Sequence, residues 1–234
     1  MPYRRLPNTD QARIRALKAI VDKNDGFKVN ELPVSFKTLA DARNFLAKFD
    51  TAQRYYKQCL DNQVKSNKKY QSQLKMARLY ISHFIQVLNL AVIRSEIKED
   101  YKKFYGLEPT CYTVPDLTNE PSICEWGEKI IKGEKERLRK GGIPIYNPTI
   151  AKVNVHYDIF KESYELQKGL QSITNRSLEN LSSMRAQADE IILDIWNQIE
   201  KFFETLPSDE KMKKCQEYGI IYYYRTSEKK KLSL

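Results

Sequence analysis

The chain has 234 residues, 41% hydrophobic and 30% charged, with a formal net charge of +10. That balance excludes a disordered chain and is enough for a sizeable core. MPYRRLPNTD has no apolar signal-peptide centre, and no uninterrupted run of about 18 apolar residues follows, so a cytoplasmic protein without a membrane span is expected.

Pro7-Asn8-Thr9-Asp10 is a helix start with Asn8 or Thr9 as N-cap. Ile14, Leu17, Ile20 and Val21 form its apolar stripe, and Asn24-Asp25-Gly26 ends it. After a loop through Pro33, Ser35 caps a second short helix that buries Phe36, Leu39, Ala42, Phe45 and Leu46, with a kink or short turn expected at Phe49-Asp50. A long helix then covers about 51–95, because neither Gly nor Pro occurs between Pro33 and Gly106. Tyr70, Leu74, Ala77, Ile81, Phe84, Leu88 and Ala91 recur in steps of four and three and define its buried face.

Extending that stripe backwards meets Gln63 and Asn67, and Gln171 and Asn175 repeat the feature. These four are expected as a structural polar layer in the interior or at its edge that fixes helix register. The competing reading makes Ser66-Asn67 and Thr174-Asn175 caps at which each long helix breaks into a hairpin; the continuous helix is preferred. GLEPTCYTVPDLTNEPS reads as an extended connector. A helix starting at Glu120-Pro121-Ser122 faces Ile123, Trp126, Ile130 and Ile131 inward and ends in ERLRKGG, with Gly141 at its C-cap. Asn147-Pro148-Thr149 caps the next segment, which becomes a second long helix over about 157–205. A short helix from Ser208 to Tyr218, a β-like stretch Ile220 to Tyr224 and a disordered tail over 225–234 complete the reading.

A shift of 108 residues superimposes Asp50 on Asp158, Tyr56 on Tyr164, Gln63 on Gln171, Asn67 on Asn175 and Met76 on Met184, and Tyr105-Gly106-Leu107 is echoed by Tyr218-Gly219-Ile220. An internal duplication is expected, with pseudo-repeats at about 36–107 and 149–220 in one helical domain. The fold class is therefore all-α: an elongated antiparallel bundle of two long helices with shorter helices alongside.

His83 and His156 are the only histidines and neither has ligand spacing to a Cys, His or carboxylate. Cys59, Cys111, Cys124 and Cys215 form no CxxC pair and are expected as reduced thiols. The chain lacks the glycine-rich phosphate loops and the Gly-x-Ser-x-Gly elbow. No catalytic, cofactor-binding or metal-binding residue is assigned, and an enzyme would need a site assembled from scattered residues. The leading expectation is a non-catalytic scaffold or interaction module whose partner is a protein, either self or other. The alternative is nucleic-acid or other polyanion binding by Lys65, Lys68, Lys69, Lys132, Lys135, Arg137, Arg139 and Lys140 beside Tyr-rich helix faces.

RRLPNTD, ARLYISHFIQVLN, NPTIAKV, ADEIILDIWNQIE and YGIIYYYR resemble segments of a family of bacterial helical proteins with no assigned activity. The resemblance implies an all-helical fold along most of the chain and carries over no site residue.

Overall fold

In the computed structural model, residues 3–23 and 32–224 are described. The order is β1 (Tyr3–Arg4), α1 (Asp10–Lys23), α2 (Phe36–Ile93), a 3-10 helix (Glu99–Tyr105), α3 (Glu120–Arg139), α4 (Ile150–Ser183), α5 (Arg185–Phe202), α6 (Ser208–Glu217) and β2 (Tyr222–Tyr223). The class is all-α. The single sheet found among the described residues pairs Tyr3 with Tyr223 and Arg4 with Tyr222, antiparallel. The expected end of α1 and the C-terminal tail fall in 24–31 and 225–234, outside the described residues.

Helix starts follow the capping chemistry. Thr9 Oγ1 accepts from the Ala12 amide at 3.2 Å, Ser35 Oγ from Thr38 at 3.2 Å, Asn119 Oδ1 from Ser122 at 2.8 Å and Thr149 Oγ1 from Lys152 at 3.3 Å. No turn interrupts Phe49-Asp50, contrary to expectation: the segment from Phe36 runs straight into the long helix, because Phe45, Phe49 and Ala52 continue one buried face. Phe36 itself lies exposed on the first turn. The second long helix starts at Ile150, earlier than expected, and pauses at Met184 before α5.

The chain divides into two compact units, Met1–Leu60 with Thr174–Leu234 (the terminal unit) and Asp61–Ile173 (the central unit). α2 and α4 each contribute residues to both. In the terminal unit Ile14, Leu17 and Ile20 of α1 join Leu39, Ala42, Phe45 and Phe49 of α2 and Ile192, Ile195, Trp196 and Ile199 of α5 in one core. Arg13 clamps Asp189 with two 2.8 Å bonds, and Arg185 clamps Asp10 at 2.8 and 2.9 Å. In the central unit all seven residues of the stripe from Tyr70 to Ala91 are buried, against Ile123, Ile130, Val153, Tyr157 and Phe160. Tyr70 stacks on Phe160 and Tyr164, and Tyr80 on His156. Two glycines let α3 approach closely. A Cβ at Gly127 would stand 2.3 Å from the Tyr157 ring, and one at Gly133 would stand 2.6 Å from the Tyr105 ring.

The expected interior polar layer does not form. Asn67, Gln171 and Asn175 are exposed, and Gln63 is half-buried. The inward positions are one residue earlier: Ser66 is half-buried on α2, and Thr174 is 5% exposed on α4. Neither helix reverses at these asparagines, so the hairpin alternative is also excluded.

Candidate functional site

In the central unit an open groove brings charge and apolar surface together. On α2, no Asp or Glu occurs between Asp61 and Glu96, and Lys65, Lys68, Lys69 and Lys75 are exposed. None of these four lysines forms an ion pair among the described residues. On α4, Val155 (54% exposed), Ile159 (40%), Leu166 (58%) and Ile173 (46%) recur in steps of four and seven, which aligns them along one helix face. Asp158, Glu162 and Glu165 follow the same period on the neighbouring outward face. Between the two helices runs a groove of 400 Å³ with Ser66, Lys69 and Gln73 on one wall and Ile159, Glu162 and Leu166 on the other. Gln73 Oε1 is buried there without a hydrogen-bond partner.

The eight basic candidates do not make one surface. Lys69 lines this groove, and Lys65 and Lys68 are exposed on the same helix outside its lining. The others lie on the last turns of α3, where Arg137 borders a 350 Å³ cavity beside Val87, Ala91 and Arg94. Lys69 and Ala91 are separated by about 30 Å of helix. Lys132 pairs with Glu128 at 2.8 Å and Arg139 with Glu136 at 2.9 Å, while Lys140 lies 4.5 Å over the Phe104 ring. Lys135 is exposed. Arg137 is a correction: it is 1% exposed and unavailable to a polyanion. Its guanidinium donates to Glu134 at 2.9 and 2.7 Å, to Tyr105 Oη at 2.9 Å and to the Ile143 carbonyl at 2.8 Å. Tyr105 in turn donates to Glu134. The sequence carries a signal for this cluster: Ile123, Gly127, Ile130, Glu134 and Arg137 advance in steps of four and three, which puts both charges on the buried stripe.

Lys102 is a second buried cation that sequence reasoning missed. Its ammonium donates to the carbonyls of Pro109 (3.0 Å) and Cys111 and lies 4.2 Å over the Tyr112 ring, and burial pushes its pKa down. All four cysteines are free thiols. A hydrogen bond with Thr113 lowers the Cys111 thiol's pKa, whereas burial raises those of Cys124 and Cys215. His83 is exposed and His156 is stacked on Tyr80 at 4.1 Å. No group of three or more His, Cys, Asp and Glu that could hold a metal ion occurs among the described residues.

The terminal unit has a larger cavity of 660 Å³ bordered by Arg5, Asn8, Thr9, Arg15, Trp196 and Tyr223. Trp196 Nε1 has no hydrogen-bond partner but is sealed from solvent, so it offers no bond to a molecule in that cavity. Although no membrane span is expected from the sequence, α2 contains a stretch long and apolar enough, by length and composition, to cross a membrane, and 44% of that stretch is buried. Comparisons with protein families, curated proteins and solved structures give no match.

Proposed function

We propose that the chain is a non-catalytic helical interaction module whose docking surface is the α2/α4 groove of the central unit. One observation carries this: four exposed aliphatic residues align on one face of α4, and two of them, Ile159 and Leu166, line an open groove, where isolated surface aliphatics would scatter. A photo-reactive residue at position 166 tests it. Cross-linking from 166 to another protein chain is expected, with loss after Ile159→Asp, while a probe at the exposed Glu179 on the same helix stays silent. Equal cross-linking from both positions would end the proposal.

A second reading, polyanion binding, is favoured by the acid-free stretch between Asp61 and Glu96 with its four exposed lysines. It requires affinity for duplex DNA or RNA that falls steeply with salt and that Lys65→Glu, Lys68→Glu and Lys69→Glu weaken together.

The scaffold is read here as two antiparallel repeats, at about 36–107 and 149–220, in a cytoplasmic protein. In support, residue numbers that rise on α2 meet falling numbers on α4, from Tyr70 with Tyr164 to Tyr80 with His156. The two echoed tripeptides also end their helices alike. Gly106 and Gly219 are left-handed (φ 69° and 83°), and the Leu107 and Ile220 amides each return to the carbonyl five residues back, on Lys102 and Cys215.

A further inference from the structure

We infer that the central unit's α2/α4 groove docks onto the same groove of a second copy of this chain, with the two copies related by a two-fold axis running along the groove. The inference rests on the reading of this groove as a protein-docking surface and names its partner. The argument is one of charge complementarity. The α2 edge is positive, with Lys65 and Lys69 exposed and no acidic residue between Asp61 and Glu96. Across the apolar strip of Ile159 and Leu166, the α4 edge is negative, with Asp158, Glu162 and Glu165 exposed.

Lys69 and Glu162 line the same groove from opposite walls. Tyr70, next to Lys69, stacks on Phe160 and Tyr164, which bracket Glu162, so the two stand at about one level along it. Rotation about an axis along the groove turns the face over, exchanges its edges and preserves height. Lys69 of one copy then meets Glu162 of the other, twice per dimer, since such an interface is isologous. The alternative two-fold, with its axis across the groove, would set lysine against lysine and glutamate against glutamate. The parallel arrangement is therefore the self-complementary one. Ile159 and Leu166 rise on one wall and seat in the partner's groove, where the 400 Å³ space is unfilled by the chain itself.

Sedimentation equilibrium of the full chain tests this. The expected result is a dimer whose dissociation constant rises with salt, because its pairs lie at the rim and are screened. Leu166→Asp removes the dimer. Lys69→Glu and Glu162→Lys each weaken it about tenfold, because each variant makes two symmetry-related pairs repulsive. The double variant Lys69→Glu/Glu162→Lys returns to near the original affinity, since both pairs are merely reversed. Circular dichroism confirms that each variant keeps its helix content, and the surface charge changes stay interpretable if Leu166→Asp does not fold. A monomer at every concentration overturns the inference, as does a double variant no tighter than either single one. A monomer that still cross-links from position 166 to a different protein overturns only the second copy as partner. Loss of that cross-link too overturns the docking reading itself.

Discussion

The two units bury charge in opposite ways. In the terminal unit the cross-element pairs Arg13–Asp189 and Arg185–Asp10 lie at the edge, where Asp189 and Arg185 keep 31% and 39% of their side-chain surface. In the central unit Glu134 and Arg137 keep 1% and 2%. The helix endings differ in the same sense. Position 102 holds a fully buried lysine, and its counterpart five residues before the terminal unit's Ile220 is a fully buried cysteine. The connector explains the contrast. Residues 109–112 supply two carbonyls and an aromatic ring to Lys102, and Ile143 and Ile145 complete the shell of Arg137 and Glu134. Irregular backbone thus adds carbonyl and amide partners to the fully buried charges of the central unit, whereas Arg13 of the terminal unit is held by carboxylates alone.

The largest expected effect sharpens that contrast. Glu134→Ala leaves Arg137 buried without its carboxylate and should cost about 3–5 kcal/mol in urea unfolding. A loss below about 1 kcal/mol would mean that Arg137 reaches water on its own. Next, Lys102→Met strips two connector carbonyls of their donor, and about 1–3 kcal/mol should be lost, with faster hydrogen exchange over residues 109–113. In the terminal unit Arg13→Ala removes a clamp that Asp189 already shares with solvent, and about 1–2 kcal/mol is expected. If Arg13→Ala exceeds Glu134→Ala, the comparison between units fails.

The smallest effect concerns pH. Tyr157 donates to the Cys124 carbonyl at 2.9 Å, and burial raises its pKa from 10.0 to about 12. Since the folded value exceeds the unfolded one, the folded chain holds this proton longer. Its contribution is complete below pH 10 and is lost as pH climbs from there through 12. Tyr157→Phe should therefore flatten the fall of Tm above pH 10 slightly and leave its neutral-pH slope unchanged. An unchanged alkaline slope would place the tyrosine's hydroxyl in water.

The stripe from Tyr70 to Ala91 on α2 was legible because seven apolar residues hold one phase over about six turns. The polar layer was misplaced for a related reason. Going back 3.6 residues from Tyr70 lands between Ser66 and Asn67, and packing turned Ser66 inward; on α4 it likewise took Thr174 in place of Asn175. The kink or short turn expected at Phe49-Asp50 is absent because the buried Phe45, Phe49 and Ala52 carry the helix through. Arg137 looked like part of a solvated ERLRK run, because its partner Tyr105 lies far away in sequence. The groove was not legible because Ile159 and Leu166 are apolar like the buried Val153, Tyr157 and Phe160 of the same helix, and only the packing separates the two sets. Strand β1 is a pairing of two residues between chain ends, too short to mark in sequence.

The interleaving of the two units has a consequence for synthesis. The central unit is one uninterrupted segment, Asp61–Ile173, whereas the terminal unit needs residues from both sides of it. A nascent chain can assemble the central unit before α5 has left the ribosome. The first sixty residues must wait, with Phe45 and Phe49 uncovered, until Ile192, Ile195 and Trp196 arrive. Closure entropy grows with the length of the intervening flexible loop, so early folding of the central unit shortens the effective loop that the terminal unit must close. The unit translated first is thus the unit completed last, and premature termination after Ile173 would release a finished central half attached to an unpartnered amino-terminal segment.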